Sequence, residues 1–159
     1  MKINTRVRYA VRMMADIARH ESEGPVPLKE VAERQGLSKL YLSQLATPLR
    51  NASLLKSVWG NKGGYMLARP AAKIPLLEII EAVDGPVGII DCVLDPSLCD
   101  RSPYCDSINV WRDINTAMVE VLRKYTLDDL VQRGEGGPAN YGACVQPARG
   151  ASWNHNRQL

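Results

Sequence analysis

Residues 91–106, DCVLDPSLCDRSPYCD, limit the fold of this chain more than any other stretch. Pro96 and Pro103 remove backbone donors, and four aspartates crowd the same segment, so no regular helix or strand is expected across it. It also carries Cys92, Cys99 and Cys105. A chain with no secretion signal has little use for a disulfide, and three thiols leave one unpaired in any local bridging scheme. What remains is a loop that presents thiolates, and thiolates on irregular backbone ligate zinc or iron–sulfur clusters. The other reading, ordinary buried cysteines acting as small hydrophobes, suits a polar, proline-broken loop poorly.

The chain of 159 residues can form one domain with a real core, or a small domain plus an appendage. No apolar run approaches the ~20 residues that span a bilayer. Lys2, Arg6, Arg8 and Arg12 are spread through a helical pattern with no apolar signal core behind them. A cytoplasmic protein without a membrane partner is expected. Its net charge of +3 conceals a segregation. Residues 1–73 hold 13 Lys and Arg against 5 Asp and Glu, a balance of +8, whereas residues 74–159 carry −5. A basic first half points to a polyanionic partner.

Along the chain, Val7, Ala10, Val11, Met14, Ile17 and Ala18 share one helical face, with Thr5 as the expected cap. Gly24-Pro25 breaks that helix. Leu28, Val31 and Ala32 then line a short helix closed by Gly36, and Ser38 caps a second helix carrying Leu42, Leu45 and Leu49. The spacing of Ala32, Gly36 and Leu42 is that of a helix-turn-helix. Pro48 is expected to kink or end the second helix near Thr47. Residues 55–68 read as two short strands around Gly60-Asn61-Lys62-Gly63-Gly64, a hairpin tip. The same glycines lack the context of a phosphate-cradling loop.

Residues 69–73 look like a hinge, and Pro75 opens a helix with Leu76, Ile79, Ile80 and Val83 inward. Beyond the thiol loop, Ile108, Trp111, Ile114, Met118, Val121, Leu122 and Tyr125 recur at helical spacing. So long a stripe needs a partner, either the same helix of a second subunit or the chain's own first helix. Thr126 caps a last short helix. From residue 134 the composition is that of a disordered tail, which contains Cys144, Trp153 and His155. The expected architecture is mainly α with a small β-hairpin wing. A winged helix-turn-helix domain spans 1–73, a thiol loop and long dimerisation helix span 74–133, and the tail spans 134–159.

The chain resembles the IscR-like group of bacterial winged-helix regulators, which includes the NsrR- and RirA-type sensors. The resemblance rests on RYAVRMM, PLKEVAERQGLSKLYLSQL, GNKGGYMLARP, IPLLEIIEAVDGP, the three cysteines, VWRDIN and TLDDLV, in order from Met1 to about Arg133. It implies a homodimer crossed by the long helix, an iron–sulfur cluster in the loop and DNA read by the winged helix. It implies Cys92, Cys99 and Cys105 as cluster ligands, for a 2Fe-2S or a 4Fe-4S centre. Three departures stand out. Where IscR-type members place a ligating histidine this chain has Ile108, and where NsrR-type members use an aspartate near the N-terminus it offers Arg8. The fourth ligand is therefore open between Asp91, Asp106, a solvent molecule and a small thiol. The third is Trp59, where the wing commonly carries arginine. Trp59 either packs the wing against the helices, the favoured role, or takes the arginine's place at the groove.

A dimer of such heads would read a near-palindromic duplex. Ser38, Lys39, Tyr41, Ser43 and Gln44 lie on the outward face and early turns of the second helix, with Gln44 suited to an adenine edge. Arg6, Arg8, Arg50 and Lys62 suit phosphates, Lys62 also being the nearest substitute for the wing arginine. Two other classes remain: a winged-helix repressor without a cluster, using the three cysteines as redox thiols or a zinc site, and an iron–sulfur carrier or enzyme. The carrier leaves the basic half unexplained, and no catalytic constellation stands out, so an enzyme is not expected.

Overall fold

The computed structural model describes residues 4–60 and 63–134. Lys62 and the expected tail beyond residue 134, with Cys144, Trp153 and His155, lie outside the described residues.

Helix α1 (Thr5–His20) is the element on which the others pack. Its cap is Asn4 and not Thr5: the Asn4 side-chain Oδ1 accepts from the Val7 N–H at 2.8 Å, while Thr5 has already entered the helix. The longer amide side chain reaches the third N–H from one residue further back. Ala10, Met13, Met14 and Ile17 are fully buried, so the inward face is wider than the apolar periodicity suggests. It also contains an acid. Asp16 is 2% exposed, and an ionised carboxylate that deep needs partners. Arg34 donates to it from Nε at 3.0 Å and Nη2 at 2.7 Å, and Gln35 Nε2 donates at 2.7 Å. Hydrogen bonding to Asp16 raises the Arg34 guanidinium above its ordinary pKa, against a smaller opposing effect of burial. This fork clamps α1 to helix α2 (Leu28–Gln35).

Gly36, at φ 64°, ends α2 in the left-handed region as the sequence predicts. Ser38 Oγ then accepts from the Tyr41 N–H at 3.0 Å and starts α3 (Lys39–Asn51). Leu42, Leu45, Ala46 and Leu49 pin α3 into the core. Contrary to expectation, Pro48 does not end the helix, which continues to Asn51. The missing N–H lies only one turn from the end, the buried Leu49 holds that turn, and the Ala52 N–H closes it onto the Pro48 carbonyl at 3.0 Å.

Strands β1 (Leu55–Val58) and β2 (Gly64–Leu67) form the antiparallel wing, with Leu55 opposite Leu67 and Val58 opposite Gly64. Tyr65 also exchanges both backbone hydrogen bonds with Val26, each at 2.9 Å. A Cβ on Gly64 would stand 2.5 Å from the Val26 carbonyl, which is why glycine occupies that position. Glu21 accepts from the Leu67 N–H at 2.8 Å and ties the wing to the end of α1.

The expected hinge is a 3-10 turn (Ala71–Lys73), spanned by an Arg69–Glu78 ion pair. Helix α4 (Leu76–Asp84) buries Leu77, Ile79 and Val83 against α1 and α3. The thiol segment is less irregular than predicted. It holds a one-turn helix α5 (Asp91–Leu94) and two 3-10 turns, Pro96–Leu98 and Ser102–Tyr104. Each proline sits in the first positions of its turn, where no N–H is needed, and Asp95 caps one turn by accepting from the Ser97 N–H at 3.0 Å. Helix α6 (Ile108–Lys124) lies against α4 and α5. Thr126 and Asp129 cap α7 (Leu127–Gly134) reciprocally, and Leu127 N–H to Ile74 O at 2.8 Å brings α7 back onto α1. Among the described residues no helix is long and apolar enough to cross a membrane.

Replacing Arg34 by Ala should lower unfolding stability by about 3 kcal/mol, because it strands the Asp16 carboxylate in the core. Urea denaturation checks this; a loss no larger than that of an exposed pair, about 1 kcal/mol or less, contradicts the clamp.

Candidate nucleic-acid interface and thiol loop

The residues expected at a DNA surface fall into two groups. On α3, Lys39 and Gln44 are exposed, whereas Tyr41 and Ser43 are half-buried. Ser38 spends its hydroxyl oxygen on capping the helix. Ser43 Oγ donates back to the Lys39 carbonyl at 3.0 Å, and Thr47 Oγ1 donates to the Ser43 carbonyl at 3.2 Å. On α1, the Arg8 guanidinium lies 5.9 Å from the centre of the Tyr9 ring and that of Arg12 lies 5.5 Å from it. Tyr9 meets Tyr41 edge to face, with ring centres 6.0 Å apart. Two arginines and two tyrosines thus join the start of α1 to the first turn of α3. Arg6 and Arg50 are both exposed.

Sequence reasoning named Arg8 and Tyr41 but missed Tyr9 and Arg12. Arg12 is further fixed by Gln35, donating to its side-chain oxygen at 3.0 Å and its carbonyl at 2.9 Å. Since Gln35 also holds Asp16, one continuous set of contacts runs from the buried carboxylate to the front of α3. The available signal was Asp16 itself, an acid among buried positions of an apolar face. Trp59 corrects another expectation. It is 92% exposed at the end of the wing and does not pack the wing onto the helices. The wing is held instead by the buried Leu55 and Leu67, by backbone bonds between Tyr65 and Val26, and by the Glu21 carboxylate on the Leu67 N–H.

The thiol loop places Cys92 on α5, Cys99 just after the first 3-10 turn and Cys105 just after the second. All three are free and half-buried. Trp111 Nε1 donates to Ser107 Oγ at 3.1 Å, and Ser107 Oγ lies 3.4 Å from Cys105 Sγ. That hydroxyl hydrogen bond is the main reason the Cys105 thiol is held below its ordinary pKa. Asn115 of α6 accepts from the Ile89 N–H at 3.0 Å, so both ends of the loop are fastened to α6.

Three half-buried thiols on one short segment are the donor type of zinc and iron–sulfur sites. The backbone does not gather them: among the described residues no three His, Cys, Asp or Glu side chains stand close enough to hold a metal ion. Ile108, at the position of the IscR-type histidine, is 7% exposed and has no donor to offer. Asp91 and Asp106 are exposed at the two ends of the loop.

Comparison with known proteins agrees with this architecture. The family Rrf2, described as an iron-dependent transcriptional regulator, matches residues 3–133. Protein rrf2 of Nitratidesulfovibrio vulgaris (strain Hildenborough) is 38% identical over 144 residues, covering 91% of this chain and 95% of its own length. The HTH-type transcriptional regulator IscR of Pectobacterium atrosepticum is 41% identical over 135 residues, covering 85% and 82%. The solved structure of CymR (YrzC), the global cysteine regulator of B. subtilis, aligns with a TM-score of 0.70 at 36% identity, covering 84% of this chain and 98% of that one. The relatives IscR and CymR are regulators and not enzymes. The chain belongs to the Rrf2 family of transcriptional regulators.

Proposed function

We propose that this regulator binds a near-palindromic DNA operator as a homodimer and changes its affinity with the state of the loop bearing Cys92, Cys99 and Cys105. The observation that carries the DNA-reading half is the group Arg8, Tyr9, Arg12 and Tyr41 at the front of an otherwise free α3 face. Arginines already stacked on a ring lose little freedom when they meet a phosphate. In this reading Arg8, Lys39 and Lys62 contact phosphates, and Ser38, Tyr41, Ser43 and Gln44 line the major-groove face. Trp59 meets the minor groove. Residues 1–73 form the reading head and residues 74–133 the sensing and pairing unit. The dimer would form along α6, where Val110, Trp111, Ile114 and Val121 are exposed in the single chain.

Cys92, Cys99 and Cys105 would hold an iron–sulfur cluster, with the fourth position filled from Asp91, Asp106, solvent or a small thiol. When bound, such a cluster supplies an iron with a replaceable ligand that an oxidant or small molecule can reach. Holding it would order a loop whose thiols are otherwise apart, and that loop is fastened to α6 through Ser107 and Asn115. A second reading is a regulator without a cluster that senses through the thiols themselves. It is favoured by the ungathered cysteines.

A visible-absorption spectrum with iron and sulfide assay on anaerobically purified protein separates the two readings. The cluster reading expects colour, iron and sulfide in the wild type and a sharp loss of all three in Cys99→Ala. Colourless wild type without iron decides for the thiol reading. For DNA, affinity should fall steeply with rising salt. Gln44→Ala should lose about 1–3 kcal/mol of discrimination at one base position and little elsewhere. Equal binding of operator and scrambled duplex in every state of the loop would remove the DNA-reading proposal.

A further inference from the structure

The outward side of α3 is less polar than its sequence suggests. Leu42, Leu45, Ala46 and Leu49 point into the core, and at about 100° per residue the opposite side is centred on Leu40. Gln44 and Thr47 lie on either side of it, with Ser43 next, all at helical spacing from Leu40. The Ser43 and Thr47 hydroxyls donate to carbonyls of their own helix, so neither has a proton left for a base edge. Leu40 itself is 74% exposed. The middle of this face is therefore a branched aliphatic side chain beside one free-standing amide, in the first turns of the helix, which is the part that meets base edges in a helix-turn-helix.

A leucine in that place has few favourable partners in the major groove. Polar base edges lose water against it and gain no hydrogen bond. The exception is the 5-methyl group of thymine, the one apolar feature of the groove. We infer that Leu40 is a specificity-determining residue that reads a thymine methyl group, next to the base read by Gln44. The inference rests on the DNA-reading function proposed above. It deepens that function by naming what the recognition face selects: at least one thymine per half-site, recognised by its methyl group and not by hydrogen bonds.

The test uses the full-length protein and the duplex recovered by selection from a random-sequence library. Each thymine of the half-site is replaced in turn by deoxyuridine, which deletes only the methyl group. The wild type should bind about fourfold more weakly at one such position, the effect of one buried methyl-sized group. Leu40→Ala should bind the thymine and uracil duplexes equally there. Because Leu40 is exposed, this variant keeps the fold, and its unchanged thermal transition verifies that. A wild type indifferent to every thymine methyl overturns the inference, as does a selected half-site without thymine. So does a uracil penalty that persists undiminished in Leu40→Ala. If selection enriches no sequence over the starting library, it is the DNA-reading function that fails, and the assignment of Leu40 falls with it.

Discussion

Asp16 is an ionisable group on the buried side of α1, and the way it is compensated decides how the DNA-facing helix is held. Its carboxylate takes the Arg34 fork and the Gln35 amide, both from the last turn of α2. Left unpaired, such a charge would cost several kcal/mol, roughly, so α2 cannot slide along α1 without losing the pair. Gly36 and Ser38 then set the step from α2 to α3. Gln35 extends the same contacts to Arg12, and Arg12 to the Tyr9–Tyr41 pair on α3. The orientation of the reading face thus depends on one buried ion pair as well as on apolar packing.

Helix α1 also meets α4 and α7, which come from the second half of the chain. Helix α4 touches α3 as well as α6, and α6 carries the attachments of the thiol loop. Rigid packed helices transmit a change of packing because a close-packed core does not deform continuously. In the proposed function, a change in the order of this loop would bear on α6, then on α4, and from α4 directly on α1 and α3. The Cys105–Ser107–Trp111 contacts place a thiol at the first turn of α6. Two packings of one helix on another, with different operator affinities, would suffice for such coupling.

Local chemistry was legible in the sequence at several positions where a residue acts on its own neighbours. Gly36 ends α2, Ser38 starts α3, Thr126 starts α7, and two strands pair on either side of the glycine-rich stretch, all as their residue types require. What the sequence hid was which of several competing local signals wins, and contacts far apart in the chain. Asn4 displaced Thr5 as cap, and its amide also reaches Asp84, eighty residues away. Pro48 was overruled by the buried Leu49. Of the two roles open to Trp59, packing the wing is excluded by its exposure, since Leu55 and Leu67 pack there instead. Asp16 escaped notice because periodicity counts apolar residues and passes over an acid among them. The three cysteines were conspicuous by spacing, but whether they gather depends on what they bind, which no spacing states.

The central claim is that the thiol loop and the DNA-reading face are coupled. The direct measurement is a titration of one operator duplex with the same protein in two states of the loop, at one salt concentration. The states are reconstituted with iron and sulfide against bare, or oxidised against reduced if no cluster forms. Coupling of about 1–3 kcal/mol predicts affinities that differ by roughly 5- to 150-fold. Equal affinity in both states, with specific binding intact, would contradict the account and leave a DNA-binding protein whose cysteines do not regulate it.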